Sequence, residues 1–564
     1  MPQRTASEVA DLLEEIGRRA AFEGGNPYKA KAYLRAAASL RHLGRPLAEL
    51  IKAGTLQTLP GVGAGIAKRI EALFRAGTDA SLERMRDHLP AGLLALLAIP
   101  GLRPASILKL HKLLGVHSLA DLAAACREGR VAATKGLGPT LQRKIEQGST
   151  IASEGAGRLR LNQAQAILEQ TIGELKALRP GLRNIAIAGD LRRGCELVSD
   201  LRLVAIDPKV PGVSEERFGA AALLVSSPAR FGAALLAGTG SASHLAQLAA
   251  LARKQGLALA TDGLRRGKRV IGARREEDIY EALGLQFIPP ELREGAGEIA
   301  LAGAGKLPKL VTLKDLRGVL HLHTDYSDGM DTLEEMAKAA RQRGYTYLGV
   351  ADHSQSAHYA GGLSLAEIDS QHAIAAALNR RFRGSLRILK GIESDILADG
   401  SLDYPAEVLA RFDFVVASVH SRFRLDRAEQ TKRIIAAVSN PYTTILGHLT
   451  GRQLLRRPGY DVDIEAILQA CAKHGVAVEI NGNPYRLELD WRWHQKALQA
   501  GCWLSINPDA HSIAELDLMQ WGVAVARKGG VAKDKVLNAL SLEQMLAHLS
   551  RRKRRRANRT VGKR

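Results

Sequence analysis

The stretch His321-Leu322-His323-Thr324-Asp325-Tyr326-Ser327-Asp328-Gly329 holds two imidazoles with a carboxylate close behind. It follows the apolar run Gly318-Val319-Leu320, a pattern that predicts a β-strand opening into a loop. Side chains alternate along a strand, which would turn His321 and His323 to one face. Imidazole together with carboxylate suits zinc, manganese or iron. A lone His-x-His is more often a surface or core pair than a ligand pair, but here the pattern repeats. Leu348-Gly349-Val350-Ala351 runs into Asp352-His353, and Ile388-Leu389-Lys390-Gly391-Ile392 into Glu393. Phe414 to Val419 runs into His420, Thr444 to Gly447 into His448, and Trp503 to Asn507 into Asp509 and His511. Each candidate ends a short apolar run, and helix-like segments separate most of the runs. That is the βα alternation of a parallel barrel, whose active site forms where strand ends converge.

One catalytic zinc typically takes three protein ligands and a water. His321, His323, Asp328, His353, Glu393, His420, His448, Asp509 and His511 are too many for one ion. They imply two or three divalent ions, Mn2+ or Zn2+ with Fe2+ also compatible, and Glu393 or another carboxylate as a bridge. Ions roughly 3.5–4 Å apart stabilise both the attacking and the leaving oxygen of a phosphoryl transfer. The expected reaction is hydrolysis of a phosphate ester, with His321, His323, Glu393, Asp509 and His511 as the catalytic set. Arg422 and Arg452 are candidates to clamp phosphate oxygens, and equally compatible with a solvated surface.

The motifs HLHTDYSDG, ADHS, GIESDI, SVHS, GHLTGR and NPDAH occur in that order between residues 318 and 511. Together they resemble the PHP (polymerase and histidinol phosphatase) superfamily. The resemblance implies a distorted (β/α)7 barrel with all nine residues above as ligands. Superfamily members include small-molecule phosphatases and DNA exonucleases, so it does not choose the substrate.

Composition narrows that choice. The chain has 564 residues, enough for three or four domains, and a net charge of +22 that favours a polyanionic partner. Arg551 to Arg564 holds nine basic residues and no acidic one, and is expected to be a disordered tail. Four scattered cysteines, without a Cys-x-x-Cys, fit a reducing compartment. No signal peptide or membrane-spanning run is read, so a cytoplasmic, monomeric protein is expected.

Near the N-terminus, Leu59-Pro60-Gly61-Val62-Gly63-Ala64-Gly65-Ile66-Ala67-Lys68-Arg69 reads as a helix, tight turn and helix. Weaker copies centre on Gly101 and on Gly136 and Gly138. Glycines let the hairpin backbone approach a phosphate, and the amides opening the next helix can hold it. Such elements grip DNA without reading its sequence. The DNA-contacting set expected here is Gly61, Gly63, Gly65, Lys68, Arg69, Gly101, Gly136 and Gly138, with Arg422 and Arg452.

In the middle, Gly189-Asp190-Leu191-Arg192-Arg193-Gly194 leads to Asp200-Leu201-Arg202. This resembles a nucleotidyltransferase palm, in which Gly-Ser and Arg-Arg-Gly precede an Asp-x-Asp that holds magnesium. Here Asp190 replaces the serine and Arg202 the second aspartate. The third acidic position aligns best with Ala222. Asn26 to Tyr33, Gly238 to His244, Glu276 to Tyr280 and Pro289 to Gly295 extend the similarity. The chain is thereby similar to bacterial family X DNA polymerases carrying a C-terminal PHP domain. The family implies gap filling, a 3′–5′ exonuclease in the barrel and a role in base-excision repair. With Gly189 and Arg193 around a depleted carboxylate set, Mg2+ binding at the palm is doubtful. The family's lyase lysine is replaced by Arg69.

The expected organisation is multidomain. A helix-hairpin-helix domain spans 1–80, a second helical domain 81–155, and a degenerate α/β palm and thumb 156–312. The PHP barrel follows over 313–549 and the basic tail over 550–564. The expected function is a metal-dependent 3′–5′ exonuclease acting on gapped, nicked or 3′-ended DNA, with AP-endonuclease or 3′-end processing as a further activity of the same barrel and with synthesis lost. An active gap-filling polymerase and a non-catalytic DNA-binding scaffold are the alternatives.

Overall fold

The computed structural model describes residues 4–23, 27–41, 43, 46–59 and 61–561. Asn26 and Pro60 of the motifs above, and residues 562–564 of the basic tail, lie outside them. The chain divides into two compact units.

One unit holds the chain up to Arg158 together with residues 169–177 and 455–457. Helix Ala6–Ala20 opens on a capping box between Thr5 and Glu8. Its apolar stripe of Val9, Leu13 and Ile16 is fully buried with Leu40, Leu50, Ile70 and Leu73. Each such side chain contributes about 1.5–3 kcal/mol on burial. Helix Ala80–His88 adds Leu82 and Met85 to this cluster, so the first hydrophobic body runs past residue 80, where the sequence pattern placed its end. A second cluster gathers Leu93, Leu96, Ile107, Leu110, Leu122 and Ile145. Helices Pro104–Leu114 and Pro139–Glu154 each carry proline in the first turn, where no amide is missed.

The other unit begins with a mixed four-stranded sheet. Its spatial order is Arg183–Ile187, Arg202–Ile206, Ala221–Ser226, Val213–Phe218. The parallel pairing of the two middle strands sets Arg202 opposite Ala222. A three-stranded antiparallel sheet, Ala258–Ala260, Gly263–Arg266 and Arg269–Gly272, follows.

Seven parallel strands then run in chain order: Gly318–Val319, Tyr347–Val350, Arg387–Asp395, Phe414–Ser418, Ile445–Leu446, Ala477–Asn481 and Leu504–Asn507. Their residues are almost all buried, as strands covered on both faces must be. A parallel bridge between Leu322 and Ala510 nearly closes the barrel. Six of these strands were marked in the sequence by a ligand at the end. Ala477–Asn481 was implied only by the superfamily's seven-strand count.

The last helix is Leu542–Val561, so residues 550–561 are helical where a disordered tail was expected. Arginine and lysine are good helix formers. Arg552 also donates to the carbonyls of Thr443 and Gly475, anchoring the turn. Among the described residues, no helix is long and apolar enough to cross a membrane.

Candidate metal centre

All nine residues expected as ligands converge at the C-terminal ends of the barrel strands. They form four overlapping groups: His323, Asp328, His353, His511; His321, His323, Glu393; His321, His448, Asp509; and His353, Glu393, His420. Ligand atoms within each group lie within 4.8 Å of one another. Glu393 is the hub. Its carboxylate stands 3.2 Å from His321 Nε2, 3.7 Å from His323 Nε2, 3.0 Å from His353 Nδ1, 3.4 Å from His420 Nε2 and 2.9 Å from His448 Nε2. Asp509 Oδ1 is 3.2 Å from His323 Nε2 and 3.5 Å from His321 Nε2. Asp328 and His511, 3.4 Å apart, are the more exposed members.

The two leading histidines do not reach this pocket by strand alternation. The first strand stops at Val319, and His321 adopts a left-handed φ of 58°. The kink, rather than the pleat, brings the rings together, with centroids 5.4 Å apart. Gly329 closes the loop so tightly that a Cβ there would sit 2.7 Å from the His323 carbonyl group.

The donor set fits divalent ions. His321 Nε2, His323 Nδ1, His353 Nδ1, His448 Nδ1 and Glu393 Oε2 are buried and have no hydrogen-bond partner. Buried polar atoms are costly to leave unpaired, and a cluster of imidazole nitrogens and carboxylate oxygens is a site for zinc, manganese or iron. Burial opposes ionisation of Glu393, yet His420, His321 and His353 hold it well below the ordinary carboxylate range. Asp509 is likewise held low against burial, first by His321. Burial, with His511 and His353 nearby, pushes His323 down to about 3, whereas, against burial, Glu479 and Glu393 hold His321 well above its ordinary value and Glu393 raises His420 to about 9.

Several residues that shape the site were not read from sequence. Glu479 accepts from His321 Nδ1 at 2.5 Å and from the His448 amide at 2.7 Å. Asp395 lies 2.7 Å from His420 Nδ1. Asp352 takes the amide and hydroxyl of Thr324, each at 2.7 Å, which fixes the loop leading to Asp328. Arg486 places Nε 3.5 Å from Asp509 Oδ2 and is more than four-fifths buried. Asp395 had one legible signal, since it follows Glu393 by two residues on the same strand face. Arg486 sits in a loop that carries none.

Two of the arginines expected to contact DNA have charged partners within the protein. Arg452 forks onto Glu196 at 2.8 and 3.4 Å and reaches Asp490 at 3.1 Å. Arg69 is tied to Asp79 at 2.6 Å and to the Tyr33 hydroxyl at 2.8 Å. Lys68 and Arg422 are exposed. The hairpin glycines Gly61, Gly101, Gly136 and Gly138 all have positive φ, between 80° and 92°. A Cβ added at Gly63, Gly65, Gly101, Gly136 or Gly138 would meet nothing within 4 Å, so these backbones are open to an approaching phosphate.

At the palm-like sheet, Arg202 Nε lies 3.1 Å from Asp200 Oδ2. Gly189, at φ 64°, packs against the Asp200 carbonyl. Asp190 accepts from the Ser199 amide and hydroxyl, both at 2.9 Å, and pairs with Arg193 at 2.5 Å. Arg193 also reaches Glu294 at 3.0 Å. Among the described residues, no candidate metal group includes Asp200.

Family models match four segments of the chain: a helix-hairpin-helix domain over residues 4–79, a SAM-like helix-hairpin-helix tandem over 93–145, a DNA polymerase beta thumb over 234–294 and a PHP domain over 320–483. The chain is 34% identical over 571 residues to the DNA polymerase/3'-5' exonuclease PolX of Bacillus subtilis (strain 168), across 96% of this chain and 99% of that protein. It is also 29% identical to a probable phosphatase of Thermoanaerobacter sp. (strain X514), covering 42% of this chain and 95% of that protein. A probable phosphatase of Vibrio parahaemolyticus is 29% identical over 38% of this chain and 87% of its own length.

Proposed function

The chain belongs to the PolX family, and from that premise we propose that its barrel pocket removes nucleotides from DNA 3′ ends with two or three divalent ions bound. The observation that supports this most is Glu393, buried within 3.7 Å of five imidazoles, with the facing nitrogens His321 Nε2 and His353 Nδ1 lacking a hydrogen-bond partner. When bound, Mn2+, Zn2+ or Fe2+ supplies Lewis acidity that lowers the pKa of a water and neutralises charge on the phosphoryl group. Glu393, common to two of the candidate groups, is the residue that would serve more than one ion. Glu479 and Asp395 hold the His321 and His420 rings with their other nitrogens toward it. Arg486, beside Asp509, adds fixed positive charge where the phosphate becomes more negative. His511 and Asp328, at the open rim, meet the scissile end first. The helix-hairpin-helix elements hold the DNA backbone without selecting sequence.

Synthesis is inferred to be lost. The carboxylate set that Mg2+ needs is reduced to Asp200, which Arg202 already pairs, and Ala222 stands at the third position. An arginine carries the same charge sign as the ion it displaces. Asp190 takes the Ser199 donors and Arg193, leaving less of that loop for an incoming phosphate.

The test is release of mononucleotides from 3′-labelled DNA with manganese. Release that vanishes in His321→Ala and after chelation, and returns with added Mn2+, is the expected result. Equal release from His321→Ala would sink the assignment.

A further inference from the structure

Glu196 belongs to the palm-like part, far from the barrel in sequence, yet it ends on a barrel loop. Its two carboxylate oxygens take the Arg452 fork at 2.8 and 3.4 Å, and both side chains are only 14% exposed. Arg492 adds a weaker contact at 3.5 Å. Arg452 is the fourth residue after the ligand His448. Its remaining donors reach Asp490 and the carbonyls of Arg486, at 3.0 Å, and Leu487. That fixes the backbone of the segment whose next side chains line the metal pocket. Arg486 points to Asp509. Glu488, fully buried, takes the Thr450 amide at 2.9 Å and the Thr450 hydroxyl. The Glu488 carbonyl accepts from Asn481, whose side-chain amide reaches Asp509 Oδ2 at 3.1 Å.

A continuous set of contacts therefore runs from Glu196 through Arg452 and residues 486–488 to Asp509. A bidentate carboxylate sets the plane of a guanidinium, which Asp490 with its single contact does not. Without Glu196 the Arg452 fork is free to swing toward Asp490, and its hold on the Arg486 carbonyl loosens. Resting on the hydrolytic function proposed above, we propose that Glu196 is a positioning residue for the barrel's phosphodiesterase site. In this reading the palm-like part is kept for more than DNA contact: it holds Arg486 in register with Asp509.

The experiment uses the full-length protein with Mn2+ and two substrates, 3′-labelled single-stranded DNA and bis-p-nitrophenyl phosphate. The small diester is too short to touch the palm. Loss of a DNA contact would raise KM on DNA alone, whereas a misplaced Arg486 lowers kcat on both. Glu196→Gln is expected to lower kcat on both substrates by about tenfold or more, as sub-ångström misplacement does. Metal content is expected to stay unchanged. Because Glu196→Gln alone could loosen the fold, its melting temperature is compared with the parent's, and the charge-conserving Glu196→Asp is assayed beside it. A kcat on the small diester that recovers part-way in Glu196→Asp, at a melting temperature equal to that of Glu196→Gln, supports positioning through the Arg452 ion pair. A kcat on the small diester within about twofold of the parent overturns the proposal, being too small to register as lost transition-state stabilisation. If the parent hydrolyses neither substrate, or His321→Ala hydrolyses both equally, the functional reading has failed first and this inference falls with it.

Discussion

His321 Nδ1 stands 2.5 Å from Glu479 Oε1, while the opposite nitrogen of the same ring faces Glu393 at 3.2 Å. Both residues are fully buried. The carboxylate therefore fixes the tautomer that leaves Nε2 free for an ion, and it supports the His448 backbone at the same time. Glu479→Gln keeps the shape but weakens this grip. The Mn2+ concentration giving half-maximal nuclease activity is expected to rise about 10- to 100-fold. A Mn2+ activation curve superimposable on that of the parent would show that Glu479 orients nothing.

Arg202 and Ala222 are direct neighbours across a parallel strand pair, so one change at each would restore carboxylates beside Asp200. On a one-nucleotide gap with Mn2+, the parent protein is expected to add no nucleotide. Arg202→Asp combined with Ala222→Asp is expected to give measurable extension, and Arg202→Asp alone much less, because two ions need bridging carboxylates from both strands. Clear gap filling by the parent would overturn the reading of the palm.

What was legible in the sequence follows from what each residue has to do. The nine pocket residues could be read because metal chemistry admits few residue types, and a parallel barrel delivers them one strand end at a time. Glu479 was hidden because a buried glutamate within Val478-Glu479-Ile480 looks like the polar face of an ordinary strand. The partner of Arg452 was hidden because Glu196 lies more than two hundred residues away in sequence, and only the folded loop brings the two together. Arg69 stands at the right place in its hairpin, but its partner Asp79 lies ten residues on and claims the charge. His321 reaches the pocket through a φ of 58°, a left-handed kink that the alternating pattern of a strand does not announce.

Glu276 is buried between two arginines, Arg192 at 2.7 and 2.8 Å and Arg293, itself fully buried. Burial opposes its ionisation, but hydrogen bonds from Arg192 and the charge of Arg293 hold its pKa below the ordinary value. The stability it contributes is therefore complete above the unfolded-chain pKa, about 4.3 for glutamate, and is lost as pH falls through the lower folded value. Glu276→Gln leaves a buried guanidinium without its counter-charge. It is expected to cost about 3–5 kcal/mol at pH 7, read from urea midpoints, with the gap to the parent shrinking below about pH 4.3. A gap that stays constant across that range would remove the ion pair as the cause.

The first hairpin separates backbone from charge. Gly63 has φ −84°, and a Cβ there meets nothing within 4 Å, so Gly63→Val fits the fold while shielding the amides that open helix Ala64–Ala76. DNA binding is expected to weaken by about 1.5–3 kcal/mol, the worth of hydrogen bonds to a charged phosphate, with the salt dependence unchanged. Lys68→Ala removes an exposed charge and should lower the slope of log Kd against log salt by about one unit. Arg69→Ala should leave that slope alone, because its guanidinium is already spent on Asp79 and Tyr33, and should instead lower the melting temperature. Fluorescence anisotropy of a labelled gapped duplex between 50 and 200 mM salt, about the range over which phosphate contacts dominate affinity, reads all three. An Arg69→Ala slope reduced as much as that of Lys68→Ala would show that Arg69 contacts the DNA backbone despite its pairing with Asp79.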